Sequence, residues 1–110
     1  NQLRTSQPDS KVINIADLSI DLTRHDVQRA GVKISLTRQE YSLLLFFALH
    51  SGEILPRTLI AGEVWGMNFE SDTNIVDVAV RRLRKKIDDG HDHKLIETVR
   101  GTGYRLNGSE

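Results

Sequence analysis

Asn74-Ile75-Val76-Asp77-Val78-Ala79-Val80-Arg81-Arg82-Leu83-Arg84-Lys85-Lys86-Ile87 is apolar in its first half and carries five cations between positions 81 and 86. At about 100° per residue with Asp77 at zero, Val76, Val80, Leu83 and Ile87 fall between roughly 240° and 300°. That stripe predicts an amphipathic helix with one edge in a core. Between roughly 40° and 140° lie Asn74, Val78, Arg81, Arg82 and Lys85, with Arg84 near the edge of the apolar stripe. A solvated helix usually alternates charge sign so that residues four apart can pair; this one stacks like charges, and an external polyanion would relieve their repulsion. The outward residue types also suit the major groove of DNA, where arginine pairs with guanine O6/N7, asparagine with adenine N6/N7, and a valine methyl meets a thymine methyl. The alternative is a basic face that only meets water, and charge alone does not separate the two.

Beyond this helix, Asp88-Asp89-Gly90 is a stop, although acids there oppose the helix dipole. Lys94–Val99 and Tyr104–Leu106 read as two strands joined by Arg100-Gly101-Thr102-Gly103. Two glycines let the backbone approach another surface closely, and an arginine at a hairpin tip suits a narrow minor groove with its concentrated negative potential. An idle turn is the alternative. A nucleotide loop is not, because the lysine and the following helix of that motif are missing.

Towards the N-terminus, Met67–Ser71 reads as a loop, with Asp72 or Thr73 placed to cap the basic helix. Pro56-Arg57-Thr58 leads into a shorter helix carrying Leu59, Ile60, Val64 and Trp65, weakened at Gly62 and ended at Gly66. Ile54-Leu55 is a short apolar link. Thr37-Arg38-Gln39-Glu40 matches a capping box, starting a helix through Leu49 that is apolar on most of its circumference and stops near Gly52, the central buried helix. Val12–Ile15, then Leu18, Ile20 and Leu22, then Val27, then Val32, Ile34 and Leu36 form short alternating segments, a small antiparallel sheet. Ala30-Gly31 supplies a tight turn between the last two. Asn1–Ser10 has one bulky apolar residue and cannot recover its ordering entropy by burial, so residues 1–11 read as a linker or tail and 12–108 as one domain.

The 110 residues contain no cysteine and have a formal net charge of zero. The fold therefore stands on packing alone, without disulfides or thiolate metal sites, as suits a cytoplasmic protein. No apolar run approaches the roughly 20 residues that span a bilayer. Zero net charge hides segregation: residues 1–80 carry seven Lys/Arg against ten Asp/Glu, and residues 81–105 carry eight against four. His91-Asp92-His93, with His25 and His50 far off in sequence, is a weak metal site, and no cofactor or metal is expected. No serine–histidine–aspartate set, paired carboxylate or phosphate loop has a recognisable context, so an enzyme is not expected.

Leu36–Leu44, Val64-Trp65-Gly66, Val76–Lys86 and Glu97–Leu106, in this order and spacing, resemble the DNA-binding effector domain of OmpR/PhoB-type response regulators of two-component systems. Asp72-Thr73-Asn74 is similar to the subgroup answering copper, silver or hydrogen peroxide. The resemblance implies an α+β fold, a winged helix-turn-helix with an N-terminal four-stranded antiparallel sheet, three helices and a C-terminal β-hairpin wing. It implies base contacts from Asn74, Val78, Arg82 and, in the minor groove, Arg100, with phosphate contacts from Arg81, Arg84, Thr98 and Tyr104; Lys85, by its angle on the helix, also reaches phosphates. Asn74 stands where family members often carry arginine, and Ala79 where some carry histidine. The partners implied are promoter direct repeats in double-stranded DNA, RNA polymerase through the loop bearing Glu70 and Asp72, a receiver domain in the full-length protein and, indirectly, a sensor kinase. Within that loop, Trp65 and Phe69 read equally well as core residues. The rival function is a winged helix used for protein–protein contact.

Overall fold

A computed structural model describes residues 11–66 and 74–108. The chain divides into two compact units, residues 1–35 and 36–110. In the first, strands β1 (Val12–Ile15), β2 (Leu18–Asp21), β3 (Asp26–Arg29) and β4 (Val32–Ile34) form an antiparallel meander in sequence order. Leu18, Ile20 and Val27 are withdrawn from solvent on one face, as the alternation requires. Leu22 falls one residue past β2 and is only half-buried, and Val32, at the start of edge strand β4, is 66% exposed. Arg29 pairs with Val32 across a two-residue turn in which Ala30 and Gly31 both take positive φ, 54° and 82°, the conformation whose twist matches that of the flanking strands. Arg29 is itself buried, and its Nε donates to Asp17 Oδ1 at 2.5 Å. A guanidinium is tolerated out of water only when paired in this way.

The second unit begins with α1 (Arg38–Leu49). The Thr37 hydroxyl accepts the Glu40 N–H, and Glu40 Oε1 accepts the Thr37 N–H at 2.9 Å, which is the capping box expected from the sequence. The same Glu40 oxygen accepts Lys86 Nζ at 2.6 Å, so the cap also ties α1 to the end of the basic helix. Burial is confined to one face, carrying Glu40, Tyr41, Leu43, Leu44, Phe47 and Ala48, while Leu49 is 60% exposed. The helix is apolar around most of its girth, as expected, but it is fully buried on one side only and not all round as a central helix would be.

Ile54-Leu55, read as a link, contributes to a strand. Leu55–Pro56 (β5) pairs with β7 (Gly103–Leu106), which pairs with β6 (Ile96–Val99), giving the order β5-β7-β6. A two-residue strand has no periodicity to detect, and Pro56, lacking an N–H, is tolerated because β5 is an edge. A Cβ on Gly103 would lie 2.0 Å from the Leu55 carbonyl oxygen. Gly103 is therefore spent on the close approach of β5 inside the domain, whereas Gly101, with φ of 77°, serves the wing turn closed by Thr102 N–H on the Val99 carbonyl.

Between β5 and the basic helix, α2 (Arg57–Ile60) continues into a π-helical turn, Ala61–Trp65, that stops at left-handed Gly66. Trp65 is half-buried there. The basic helix is α3 (Asn74–Ile87), which packs against α1 and keeps Val76, Val80, Leu83 and Ile87 at 0–1% exposure. The expected caps, Asp72 and Thr73, lie outside the described residues. Sheet, three helices and terminal hairpin are the winged-helix arrangement. Among the described residues no helix is long and apolar enough to cross a membrane.

Gly103→Ala is expected to cost about 3 kcal/mol through overpacking against β5, seen as a lower urea midpoint at unchanged slope; an unaltered midpoint would mean that β5 moves aside freely. Burial pushes the Glu40 carboxyl up, but the hydrogen bonds from Lys86 and Thr37 outweigh it and hold the group below its ordinary value. A depressed carboxyl contributes stability above its unfolded-state value, lost as pH falls through the folded one. Glu40→Gln should therefore lower stability at neutral pH and flatten the loss of stability below pH 4.5. An equal deficit at neutral and acid pH would contradict this.

Candidate nucleic-acid interface

With the apolar stripe of α3 buried, the opposite face presents Asn74, Val78, Arg81, Arg82 and Lys85 to solvent, the set sorted out by angle. Lys86 belongs elsewhere, since its ammonium is held by Glu40. Arg84 is half-buried at the edge of the stripe, and its Nη2 donates to Thr98 Oγ1 at 2.6 Å, joining α3 to β6. Thr98 is exposed, and its hydroxyl, accepting from Arg84, keeps its own proton to donate. Arg100 stands exposed at the wing turn. Glu70 and Asp72, expected to face RNA polymerase, and Phe69 lie outside the described residues.

Tyr104, expected at a phosphate, is placed differently. Only 5% of it is exposed, and its hydroxyl donates to Asp77 Oδ1. Burial and the neighbouring carboxylate both push the phenol up, keeping it protonated as a donor. A phosphate offers only acceptors, so that proton cannot serve Asp77 and a phosphate together.

The Asp77 carboxylate also accepts Arg57 Nε at 2.8 Å. Burial would raise the Asp77 carboxyl, but the hydrogen bonds from Tyr104 and Arg57 hold it below its ordinary value; Asp77 in turn raises Arg57. The guanidinium carbons of Arg57 and Arg84 lie 5.3 and 5.4 Å from the centre of the Tyr104 ring, within cation–π range. These residues border an open cleft of about 690 Å³ between α3 and the C-terminal sheet, whose cationic lining also includes Arg81, Lys85 and Lys94.

Asp88, an acid at the wrong end of a helix for the dipole, is buried, with Oδ1 accepting the Leu95 N–H at 3.0 Å and Oδ2 the Ile96 N–H at 3.1 Å. It pins the approach to β6 onto the end of α3. Lys94 Nζ adds a bond to the Asp88 carbonyl at 2.9 Å. Among the described residues no three His, Cys, Asp or Glu side chains gather as a metal site.

Sequence reasoning missed Arg57 and passed over Asp77. One signal was present: Asp77 is the single acid in a helix rich in cations, and an acid in that setting calls for a partner. Arg57 alone in a short helix gave none.

The family described as "Transcriptional regulatory protein, C terminal" matches residues 31–106. The chain belongs to this family. The transcriptional regulatory proteins CusR of Escherichia coli K12 and PcoR of Escherichia coli are 59% and 58% identical to it, over 84% and 86% of its length. The chain spans only 40% and 42% of those two relatives. Of the subgroup answering copper, silver or hydrogen peroxide that the sequence resembles, these relatives support the copper and silver part. Among solved structures, the RstA DNA-binding domain of Klebsiella pneumoniae in complex with the RstA box superposes with a TM-score of 0.83 at 31% identity, covering 90% of this chain and 99% of that one. The DNA-binding domain of Escherichia coli CpxR follows at 0.77 and 27%, covering 89% and 97%.

Asp88→Ala is expected to strand two buried N–H groups of this transcriptional regulatory domain and cost about 3 kcal/mol, measured by chemical unfolding. Retention of the wild-type midpoint would show that water replaces the carboxylate.

Proposed function

We propose that this chain is the sequence-specific DNA-binding effector domain of a two-component response regulator, with residues 12–108 acting as one domain. The observation that carries the reading is the exposed row Asn74, Val78, Arg81, Arg82 and Lys85 on α3, opposite a fully buried stripe and accompanied by exposed Arg100 on the wing. The RstA relative, solved with its DNA box and sharing the fold over nearly all of the chain, supports it. In this reading α3 enters the major groove, where Asn74, Val78 and Arg82 meet base edges, while Arg100 enters the minor groove. Arg81, Arg84, Lys85 and Thr98 grip phosphates. Tyr104 acts through the arginines packed on it.

In the whole regulator, a receiver domain phosphorylated by a sensor kinase controls occupancy of promoter direct repeats in the cytoplasm. Glu70 and Asp72, acids in the stretch whose sequence reads as a loop, are assigned to RNA polymerase. The resemblance to the subgroup answering copper, silver or hydrogen peroxide makes those the first stimuli to test.

Neutralising about four to six phosphates should make DNA affinity fall with salt at a log–log slope of roughly −4 to −5. A salt-independent complex would instead favour a protein–protein module. Arg82→Ala should weaken binding and relax preference at one base pair, at a cost of about 1–3 kcal/mol. Arg100→Ala should weaken binding chiefly at A·T-rich flanks. Equal small losses on specific and random DNA for both variants would refute these roles.

A further inference from the structure

We propose that Arg57, in the first turn of α2, is a DNA-backbone contact that works as a pair with Arg84, and that Asp77 and Tyr104 are the positioning residues that hold this pair. The proposal rests on the DNA-binding reading above. Two guanidinium groups over one aromatic ring repel each other, so the arrangement needs a compensating negative charge. Asp77 supplies it, accepting Arg57 Nε at 2.8 Å and the Tyr104 hydroxyl on one oxygen. Each guanidinium has five N–H donors. Arg57 gives Nε to Asp77, and Arg84 gives Nη2 to Thr98, so each keeps other donors for phosphate oxygens. Their rotamers are set before DNA arrives, which removes part of the ordering cost of binding.

For DNA binding as such, Asp77 is a cost on this surface. A carboxylate among phosphate-binding cations repels the polyanion, and charge accounting alone says that its removal should tighten binding. Positioning says the reverse: once Asp77 is neutral, Arg57 loses its anchor and Tyr104 its charged acceptor, and both arginines must be ordered on binding. The two accounts differ in the sign of one measurement.

That measurement is the affinity of the 110-residue chain for a short mixed-sequence DNA duplex across a salt series, with unfolding midpoints recorded for each variant. Asp77→Asn is expected to bind about threefold to tenfold more weakly than wild type, despite its more positive charge. Arg57→Ala should reduce the log–log salt slope by about one, an effect that a merely structural tie between α2 and α3 would not produce. Tyr104→Phe keeps the ring and loses the hydroxyl, so it should weaken binding in the same direction as Asp77→Asn. It stands in for that variant should the latter unfold. Tighter binding by Asp77→Asn or Tyr104→Phe, or a wild-type slope for Arg57→Ala, would overturn the proposal while leaving the DNA-binding reading intact. Absence of salt-dependent binding by the wild-type chain would overturn both.

Discussion

Val76, Val80, Leu83 and Ile87 of α3 are exposed by no more than 1%, and their burial sets the rotation of the helix about its own axis. Each such side chain contributes about 1.5–3 kcal/mol when taken out of water, whereas each like-charge pair on the opposite face costs only a few tenths of a kcal/mol. Burial therefore wins, and the cations are carried outward as a consequence. Arg84, Lys85 and Lys86 also occupy the last turn and Asp77 the first, the polarity that the helix dipole favours at both ends. The helix is thus stable with a face whose repulsion is relieved by an external polyanion.

Once α3 is fixed, carboxylates organise what surrounds it. Glu40 spends one oxygen on both its own helix cap and Lys86. Asp88 takes the N–H groups that lead into β6, and Asp77 gathers Arg57 and Tyr104. Each acid removes or orients a cation, or fixes backbone, in the region where formal charge is most positive. The count of positive charge along the chain therefore overstates the number of freely presented cations, and the structure narrows the interface to particular side chains.

Legibility in the sequence followed the range of the interaction. The capping box at Thr37 and Glu40, the Ala30-Gly31 turn, the stop at Gly66 and the two faces of α3 are set by residues within a few positions of one another, and their patterns predict them. The exposed members of the candidate interface were legible for the same reason. Strand β5, the spatial demand on Gly103, the role of Asp88 and the Arg57–Asp77–Tyr104 cluster depend on partners brought together only by the tertiary fold. Tyr104 illustrates the difference: its position in the motif suggested a phosphate contact, while its burial and its bond to Asp77 give it an internal task.

The central claim, that the outward face of α3 and the wing turn together receive DNA, is tested most directly by following backbone amide shifts of the labelled chain as duplex DNA is added. The account predicts that the largest changes fall on Asn74–Lys85 and on Val99–Thr102. Changes centred on exposed apolar Leu49, Ile54 and Leu59, with α3 and the wing unmoved, would contradict it.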